Sequence, residues 1–239
     1  MVASKGILYL IPVLLGPESS ASALLPGATL DVVRGLRTFI VEDAKSARQF
    51  LRATGYSHPL QETRFEILNE HTQPGELGAL LEPLLSGEDC GLMSEAGCPG
   101  IADPGGALVK QACDAAIRVV PLVGPCSILL ALMASGMNGQ QFSFHGYLPV
   151  DKGARTRAIQ SLEAQSEHAT QIFIETPYRS AALFQALLDQ CQSDTRVCVA
   201  ADLTLEGEFV QTRSVAEWRK HRPELERRPT VFLVYRGRV

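Results

Sequence analysis

Residues 89–125 of the chain read DCGLMSEAGCPGIADPGGALVKQACDAAIRVVPLVGP. The stretch begins with a short apolar run, residues 90–93, which passes into a loop rich in glycine and proline. The pattern then predicts a helix over 107–116 and a second apolar strand over 117–123, stopped by Gly124 and Pro125. Strand, loop, helix and strand in this order form a βαβ unit, which predicts a parallel sheet.

The loop inside this unit, residues 94–104, is long for an ordinary connection. A strand-to-helix turn in such units needs only about two to six residues. This loop also holds two carboxylates, Glu95 and Asp103, on a path fixed by its glycines and prolines. In open parallel sheets, ligands bind outside the carboxyl ends of the strands, where this loop lies. An ordinary long turn is the alternative, but the pattern favours a binding role.

Composition places the chain among folded proteins of moderate size. It has 239 residues, of which 46% are hydrophobic and 20% charged, so a sizeable core is available. The net charge of −4 argues against broad, non-specific binding to nucleic acid, although a local basic patch stays compatible with it. We expect no membrane span, because no apolar run reaches about 20 residues. We expect no secretory signal either.

The cysteines and histidines indicate neither disulfides nor a metal site. None of the six cysteines forms a C-x-x-C pair, and the five histidines are scattered without metal-ligand spacing. Buried, reduced thiols are therefore the expected state, which predicts a cytoplasmic protein without a bound metal.

The alternation of strand and helix patterns continues in both directions from the opening stretch. Strands are expected over 6–11, 38–41, 65–68, 142–147, 171–175, 196–201, 208–212 and 230–235. Helices are expected over 44–54, 127–134, 154–164 and 179–188, with another opened by Pro74 and closed by Gly87. The sequence therefore predicts two α/β domains with mostly parallel sheets and a cleft between them, residues 1–122 and 123–239.

Several motifs in order along the chain resemble one known family. They are SEAGCPGIADPG from Ser94, VVPLVGPCSI from Val119, ASG from Ala134, FHGYLP from Phe144, FIETPYR from Phe173 and ADLT from Ala201. Together they resemble the tetrapyrrole-methylase superfamily of S-adenosylmethionine-dependent methyltransferases. Within it, the chain is most similar to the branch of 16S ribosomal RNA 2′-O-ribose methyltransferases. The matches extend from about Gly6 to Val234.

The resemblance implies S-adenosylmethionine as the cofactor and assigns contacts to it. The chain has no G-x-G-x-x-G, so a Rossmann-type methyltransferase lacks its fingerprint here. The implied cofactor-binding residues are Leu15, Glu95, Ala96, Gly97, Cys98, Ser127, Ile128, Thr176, Pro177, Leu203, Thr204, Pro229 and Thr230. These residues also have structural alternatives. Ser127 could cap its helix, Glu95 could form a surface ion pair, and Thr204 could be an ordinary strand-end residue.

The acceptor side matches the family less well. Residues 13–20, VLLGPESS, replace the family's TPIGNLGD loop, and VEDAK at 41–45 replaces CEDTR but keeps Glu42 and Asp43. The chain therefore looks like a short form of the branch with a divergent substrate loop.

Proton removal from the acceptor calls for a general base. The candidates are Glu70 and His71, in a segment that resembles the family's HEHN, and then Glu175. A solvent-exposed surface loop is the alternative for the Glu70–His71 pair.

A basic cluster is the candidate RNA contact. Lys152, Arg155 and Arg157 follow the FHGYLP motif and are assigned to RNA phosphates, with residues 219–228 as a second possible patch. A merely solvated helix is the alternative. Three functions stay open: methylation of ribosomal RNA, methylation of a small tetrapyrrole-like molecule, and cofactor binding without catalysis. The resemblance also implies a homodimer.

Overall fold

The computed structural model describes residues 4–16 and 18–237. The chain divides into two compact units, the first ending at Cys126 and the second beginning at Ser127. The sequence placed this boundary slightly earlier, after residue 122. Each unit contains one five-stranded sheet with helices packed on it.

The first unit alternates strands and helices throughout. Its elements are β1 (Ile7–Leu10), α1 (Ala21–Leu24), α2 (Gly27–Gly35), β2 (Thr38–Val41), α3 (Ala44–Ala53), β3 (Arg64–Ile67), α4 (Leu77–Leu80), α5 (Glu82–Leu85), β4 (Cys90–Met93), α6 (Gly105–Asp114) and β5 (Arg118–Pro121). The helix predicted to run from Pro74 to Gly87 is instead two short helices. Pro83 lies in the first turn of α5, where its missing N–H costs no helical bond but stops the preceding helix from continuing.

The first sheet is entirely parallel, with the strand order β3-β2-β4-β1-β5. Every residue of β2 and β4 is buried, because helices cover both faces of the sheet. Buried apolar clusters lie on the two faces, one around Phe39 and Leu51 and the other around Leu84 and Leu108. All carboxyl ends of the strands meet at one edge, which confirms the predicted βαβ unit and places its long loop at that edge.

The second unit begins with a helix. Its elements are α7 (Ser127–Ser135), β6 (Phe142–Tyr147), α8 (Lys152–Gln165), β7 (Thr170–Glu175), α9 (Ser180–Gln190), β8 (Arg196–Ala201), β9 (Phe209–Ser214), α10 (Val215–Trp218) and β10 (Thr230–Tyr235). The strand positions follow the sequence pattern closely.

The second sheet is mixed, with the order β6-β7-β10-β8-β9. Only β6 and β7 pair in parallel, whereas β10 runs antiparallel to both of its neighbours and β9 antiparallel to β8. The expectation of mostly parallel sheets therefore holds for the first unit and is wrong for the second. The connection from β8 to β9 contains no helix, and a parallel pair needs a longer crossover.

The core of the second unit is built around aromatic side chains. Phe173 and Phe232 stack across neighbouring strands with ring centroids 5.9 Å apart, and Trp218 meets Phe184 edge to face at 5.5 Å. The Trp218 indole N–H donates to the carbonyl of Val197 at 2.8 Å, so burial leaves its polar atom satisfied.

Thiol reactivity should follow burial. Burial raises the pKa of Cys90 and of Cys191 to about 12 and that of Cys198 to about 11. Because the thiolate is the nucleophile, these three should react with iodoacetamide only on unfolding, whereas the exposed Cys113 should react in the native state at pH 8. Mass spectrometry of peptides from pulse-labelled protein measures this order. Rapid native labelling of Cys90 would contradict it.

Within residues 4–16 and 18–237, no helix is long and apolar enough to cross a membrane. The same ranges contain no group of three or more His, Cys, Asp or Glu side chains placed to hold a metal ion.

Candidate functional site

The loops after β1 and β4 join at the carboxyl edge of the first sheet. The Val13 N–H donates to the carbonyl of Gly97 at 2.9 Å, in a single antiparallel bridge. Gly97 has a φ of +73°, and a Cβ atom there would lie 3.4 Å from Leu15 Cδ2. Two predicted cofactor residues, Leu15 and Gly97, therefore lie next to each other. Pro17 of the divergent loop lies outside the described residues.

Asp103 organises the long loop from within. Its carboxylate accepts from the N–H of Gly100 at 2.8 and 2.9 Å and from the N–H of Gly105 at 2.7 Å. Between them Ala102 has a φ of +62°, a conformation that favours glycine. The sequence singled out Asp103 as one of the two carboxylates of the loop but gave it no role. Its three backbone contacts make it the main fixed point of the loop.

Glu42 holds the beginning of the same loop. It directly follows β2, and its Oε2 accepts from the backbone N–H of Glu95 at 2.7 Å. The side chain of Glu95 itself is exposed. Sequence reasoning noted Glu42 only as a retained piece of a family motif, although an acidic residue at the end of a buried strand beside β4 was the available signal.

Cys98 joins the loop to the segment after β5. Its thiol lies 3.5 Å from the carbonyl oxygen of Pro125 and forms a hydrogen bond with the thiol of Cys126. This thiol–thiol contact, together with burial, raises the pKa of Cys98 well above its usual range. Hydrogen bonds therefore fix the Glu95–Cys98 segment to the residues that follow β1, β2 and β5.

The two candidate general bases, Glu70 and His71, lie on the loop after the edge strand β3. The side chains of Glu70 and His71 are 87% and 84% exposed, and the nearest approach of their charged atoms is 3.7 Å. The His71 N–H donates to the Asn69 side chain at 3.0 Å, which fixes the backbone rather than the imidazole. The structure thus places both residues at the carboxyl edge of the first sheet, with their side chains in solvent.

The carboxylate of Glu175, the third candidate base, is buried and bonded within the protein. Its side chain is 1% exposed and forms a 2.6 Å ion pair with Arg179. The other carboxylate oxygen accepts from the Thr176 N–H at 2.7 Å. Both oxygens are bound inside the protein, so Glu175 fixes the end of β7, and this arrangement argues against its use as a general base.

Three predicted cofactor segments converge in the second unit. Thr230 opens β10 and pairs with the last residues of both β7 and β8, Glu175 and Ala201. Further hydrogen bonds connect the loops: Arg227 N–H to the Pro177 carbonyl at 3.1 Å, and Asp202 N–H to the Pro229 carbonyl at 3.2 Å. One edge of the sheet therefore collects Thr176, Pro177, Leu203, Thr204, Pro229 and Thr230.

Backbone strain concentrates in these predicted loops. Five described non-glycine residues have positive φ, and four of them lie in the loop after β4, the loop after β8 or just before β10: Ala102, Asp202, Thr204 and Arg227. Such conformations cost about 1–3 kcal/mol each and cluster at functional sites. An ion pair of 2.5 Å between Arg228 and Asp202 helps to hold the strained loop after β8.

The two remaining predicted cofactor-binding residues, Ser127 and Ile128, lie at the start of α7. Ser127 begins α7 and Ile128 is buried beside it, on a helix that packs against β10 and β9. The first N–H groups of a helix have no partner within it, so this end offers donors.

The basic cluster occupies the first turns of α8. Asp151 caps that helix through the N–H of Ala154 at 2.8 Å. Lys152 and Arg157 are exposed, while Arg155 donates to the Val150 carbonyl at 3.3 Å.

Comparison with known proteins shows what the chain is similar to. The family model "Tetrapyrrole (Corrin/Porphyrin) Methylases" matches residues 27–218. A Vibrio cholerae protein named ribosomal RNA small subunit methyltransferase I is 35% identical over 211 residues, 88% of this chain and 69% of the relative. The protein of the same name from Escherichia coli O157:H7 is 30% identical over 237 residues, 98% of this chain and 79% of the relative.

A solved structure agrees at the level of fold. The crystal structure of the methyltransferase CobJ superposes with a TM-score of 0.63 over 97% of this chain and 94% of CobJ, at 16% sequence identity. The family model and the two relatives confirm the family expected from the motifs and its cofactor. The chain belongs to the tetrapyrrole (corrin/porphyrin) methylase family and is an S-adenosylmethionine-dependent methyltransferase.

Proposed function

We propose that the protein transfers the methyl group of S-adenosylmethionine to ribosomal RNA, with a ribose 2′-hydroxyl as the acceptor. The observation that carries this proposal is the 30–35% identity to proteins named ribosomal RNA small subunit methyltransferase I, over 88–98% of this chain. Similarity to the methyltransferase CobJ is lower, at 16% identity, and supports the fold alone.

The loops at the two sheet edges offer groups that would suit this cofactor, and these support the proposal. In the first unit, Leu15 offers an apolar contact beside Gly97, whose missing side chain allows close approach to the backbone. In the second unit, the start of α7 at Ser127 offers N–H donors for the carboxylate of the cofactor. Thr176 and Thr204, after β7 and β8, lie where adenosine contacts are proposed.

The bound cofactor supplies an electrophilic methyl group for in-line displacement, so the main task of the protein is to position the acceptor oxygen. For proton removal we retain Glu70 and His71 as the proposed pair. Their exposure fits a role that is completed when RNA covers them, because catalytic contacts often tighten only in the substrate complex.

Lys152 and Arg157 are the proposed phosphate contacts, together with Arg155. The three cations lie at the start of α8, after the carboxyl end of β6, which pairs with β7. The loop after β6 is bonded to α9, because Arg179 donates to the Leu148 carbonyl at 3.2 Å.

Transfer of radiolabelled methyl from S-adenosylmethionine to 16S ribosomal RNA or small subunits lacking the modification tests the proposal. We expect the double variant Lys152→Ala/Arg157→Ala to raise the KM for RNA about tenfold and to reduce the salt dependence of binding by about two units of slope, because two phosphate contacts are lost. Lys110→Ala, which removes an exposed cation from α6, is the control.

Two outcomes contradict the proposal. Label entering a corrin or porphyrin but not RNA would assign the tetrapyrrole alternative. Cofactor binding without transfer to either acceptor would assign a binding module.

We also propose that the enzyme acts as a homodimer in the cytoplasm. Leu129 and Met133 on α7 are 48% and 80% exposed, which supports an apolar contact between copies. The six cysteines are all free thiols, in keeping with a reducing compartment. Sedimentation of the wild type and of Met133→Glu tests the dimer.

A further inference from the structure

Glu42 connects the ends of two neighbouring strands. Strands β2 and β4 pair in parallel with Val41 opposite Met93, so the residues that follow them leave the sheet side by side. There the Glu42 carboxylate accepts from the backbone N–H of Glu95 at 2.7 Å. Its bond is to the backbone of the loop, so it acts on the path of the chain rather than on one side chain.

The segment beyond Glu95 is fixed at both of its ends. On one side Glu42 holds the N–H of Glu95, and on the other the Val13 N–H holds the carbonyl of Gly97 at 2.9 Å. Between these points lies Ala96, followed by Gly97 in a left-handed conformation. Loss of Glu42 would leave this segment held at its far end alone.

The surroundings of Glu42 disfavour the ionised form of its side chain. Burial raises the pKa of Glu42, the hydrogen bond from Glu95 partly offsets this, and the Asp103 and Glu95 charges raise it further. For a carboxyl whose pKa is higher in the folded state, stability is fully present at low pH and falls as pH rises through the folded-state value. The folded protein therefore disfavours the ionised side chain relative to water, as is common for groups at functional sites.

We propose that Glu42 is a positioning residue, whose carboxylate holds the Glu95–Cys98 segment in the conformation that receives S-adenosylmethionine. This inference rests on the proposed role of that segment in cofactor binding. The two charges that face Glu42, those of Glu95 and Asp103, belong to the loop that it holds.

The neighbouring Asp43 supplies a matched control. Its side chain caps α3, accepting from the Ser46 N–H at 2.7 Å, so its hydrogen bond serves that helix rather than the β4 loop. We expect Glu42→Ala to raise the calorimetric Kd for S-adenosylmethionine about tenfold with an equal or higher Tm. Asp43→Ala should lower the Tm and leave the Kd unchanged. Glu42→Gln, which keeps an acceptor oxygen without the charge, should raise the Kd by only about threefold.

Hydrogen exchange gives a second readout that needs no cofactor. The amide of Glu95 should exchange faster in Glu42→Ala than in the wild type, and at the wild-type rate in Asp43→Ala. Wild-type protein that fails to bind S-adenosylmethionine would overturn the proposed cofactor site, while the exchange rates would still decide whether Glu42 holds the loop.

Two results would overturn the inference itself. One is an unchanged Kd and an unchanged Glu95 exchange rate in Glu42→Ala. The other is a Glu42→Gln variant that binds the cofactor normally but loses turnover, which would make Glu42 a proton acceptor in the chemistry instead.

Discussion

We expect Asp103→Ala to raise the Kd for S-adenosylmethionine by about 10- to 100-fold. The Asp103 carboxylate accepts from the N–H groups of Gly100 and Gly105 and so closes the loop upon itself. A hydrogen bond to a charged group contributes about 1.5–3 kcal/mol. If the cofactor must order the freed loop, a cost of that size appears in the binding constant, at about 1.4 kcal/mol for each tenfold change. Isothermal titration calorimetry measures it.

Two further variants separate this effect from a general loss of charge. Asp103→Asn keeps one acceptor oxygen and should bind the cofactor more tightly than Asp103→Ala. Asp31→Ala removes a carboxylate that is 78% exposed on α2 and should leave the Kd unchanged. Equal affinities of Asp103→Ala and the wild type for S-adenosylmethionine would show that cofactor binding does not depend on the hydrogen bonds of Asp103 within the loop.

The first sheet could be predicted from the sequence because its physical signals are local. Runs such as Cys90–Met93 are apolar throughout, as strands buried on both faces must be, and glycines and prolines mark where they end. The direction of the later strands has no such signal. An apolar run like Thr230–Tyr235 reads the same whether it pairs in parallel or antiparallel, and its place between β7 and β8 depends on contacts distant in sequence.

Within each unit, the predicted cofactor segments that adjoin strands lie at one edge of that unit's sheet, because the ends of neighbouring strands share it. The residues that fix those segments could not be predicted with equal ease. The hydrogen bond from the Glu95 N–H to Glu42 spans 53 positions of sequence, and its local signal, an acidic residue at the end of a buried strand, does not identify the partner. The positive φ of Thr204 is likewise invisible in the sequence, because a β-branched residue is an unfavoured choice for that conformation.

We expect Arg179→Ala to lower the free energy of unfolding by about 3 kcal/mol, because it leaves the buried charge of Glu175 without its partner. Glu175 is 1% exposed and its partner Arg179 is 31% exposed, at 2.6 Å. Removing one partner of a buried pair costs about 3–5 kcal/mol, and the lower figure applies where one side chain reaches solvent. Urea denaturation measures the change.

Removal of both charges decides whether Glu175 is structural. The double variant Glu175→Gln/Arg179→Met removes both charges, so no unpaired charge is left buried. Its free energy of unfolding should therefore regain most of what Arg179→Ala loses. Methyl transfer by the double variant should then approach the wild-type rate, because the carboxylate serves to end β7 in the correct position and not to accept a proton. A stable double variant without transferase activity would return Glu175 to the candidates for the general base.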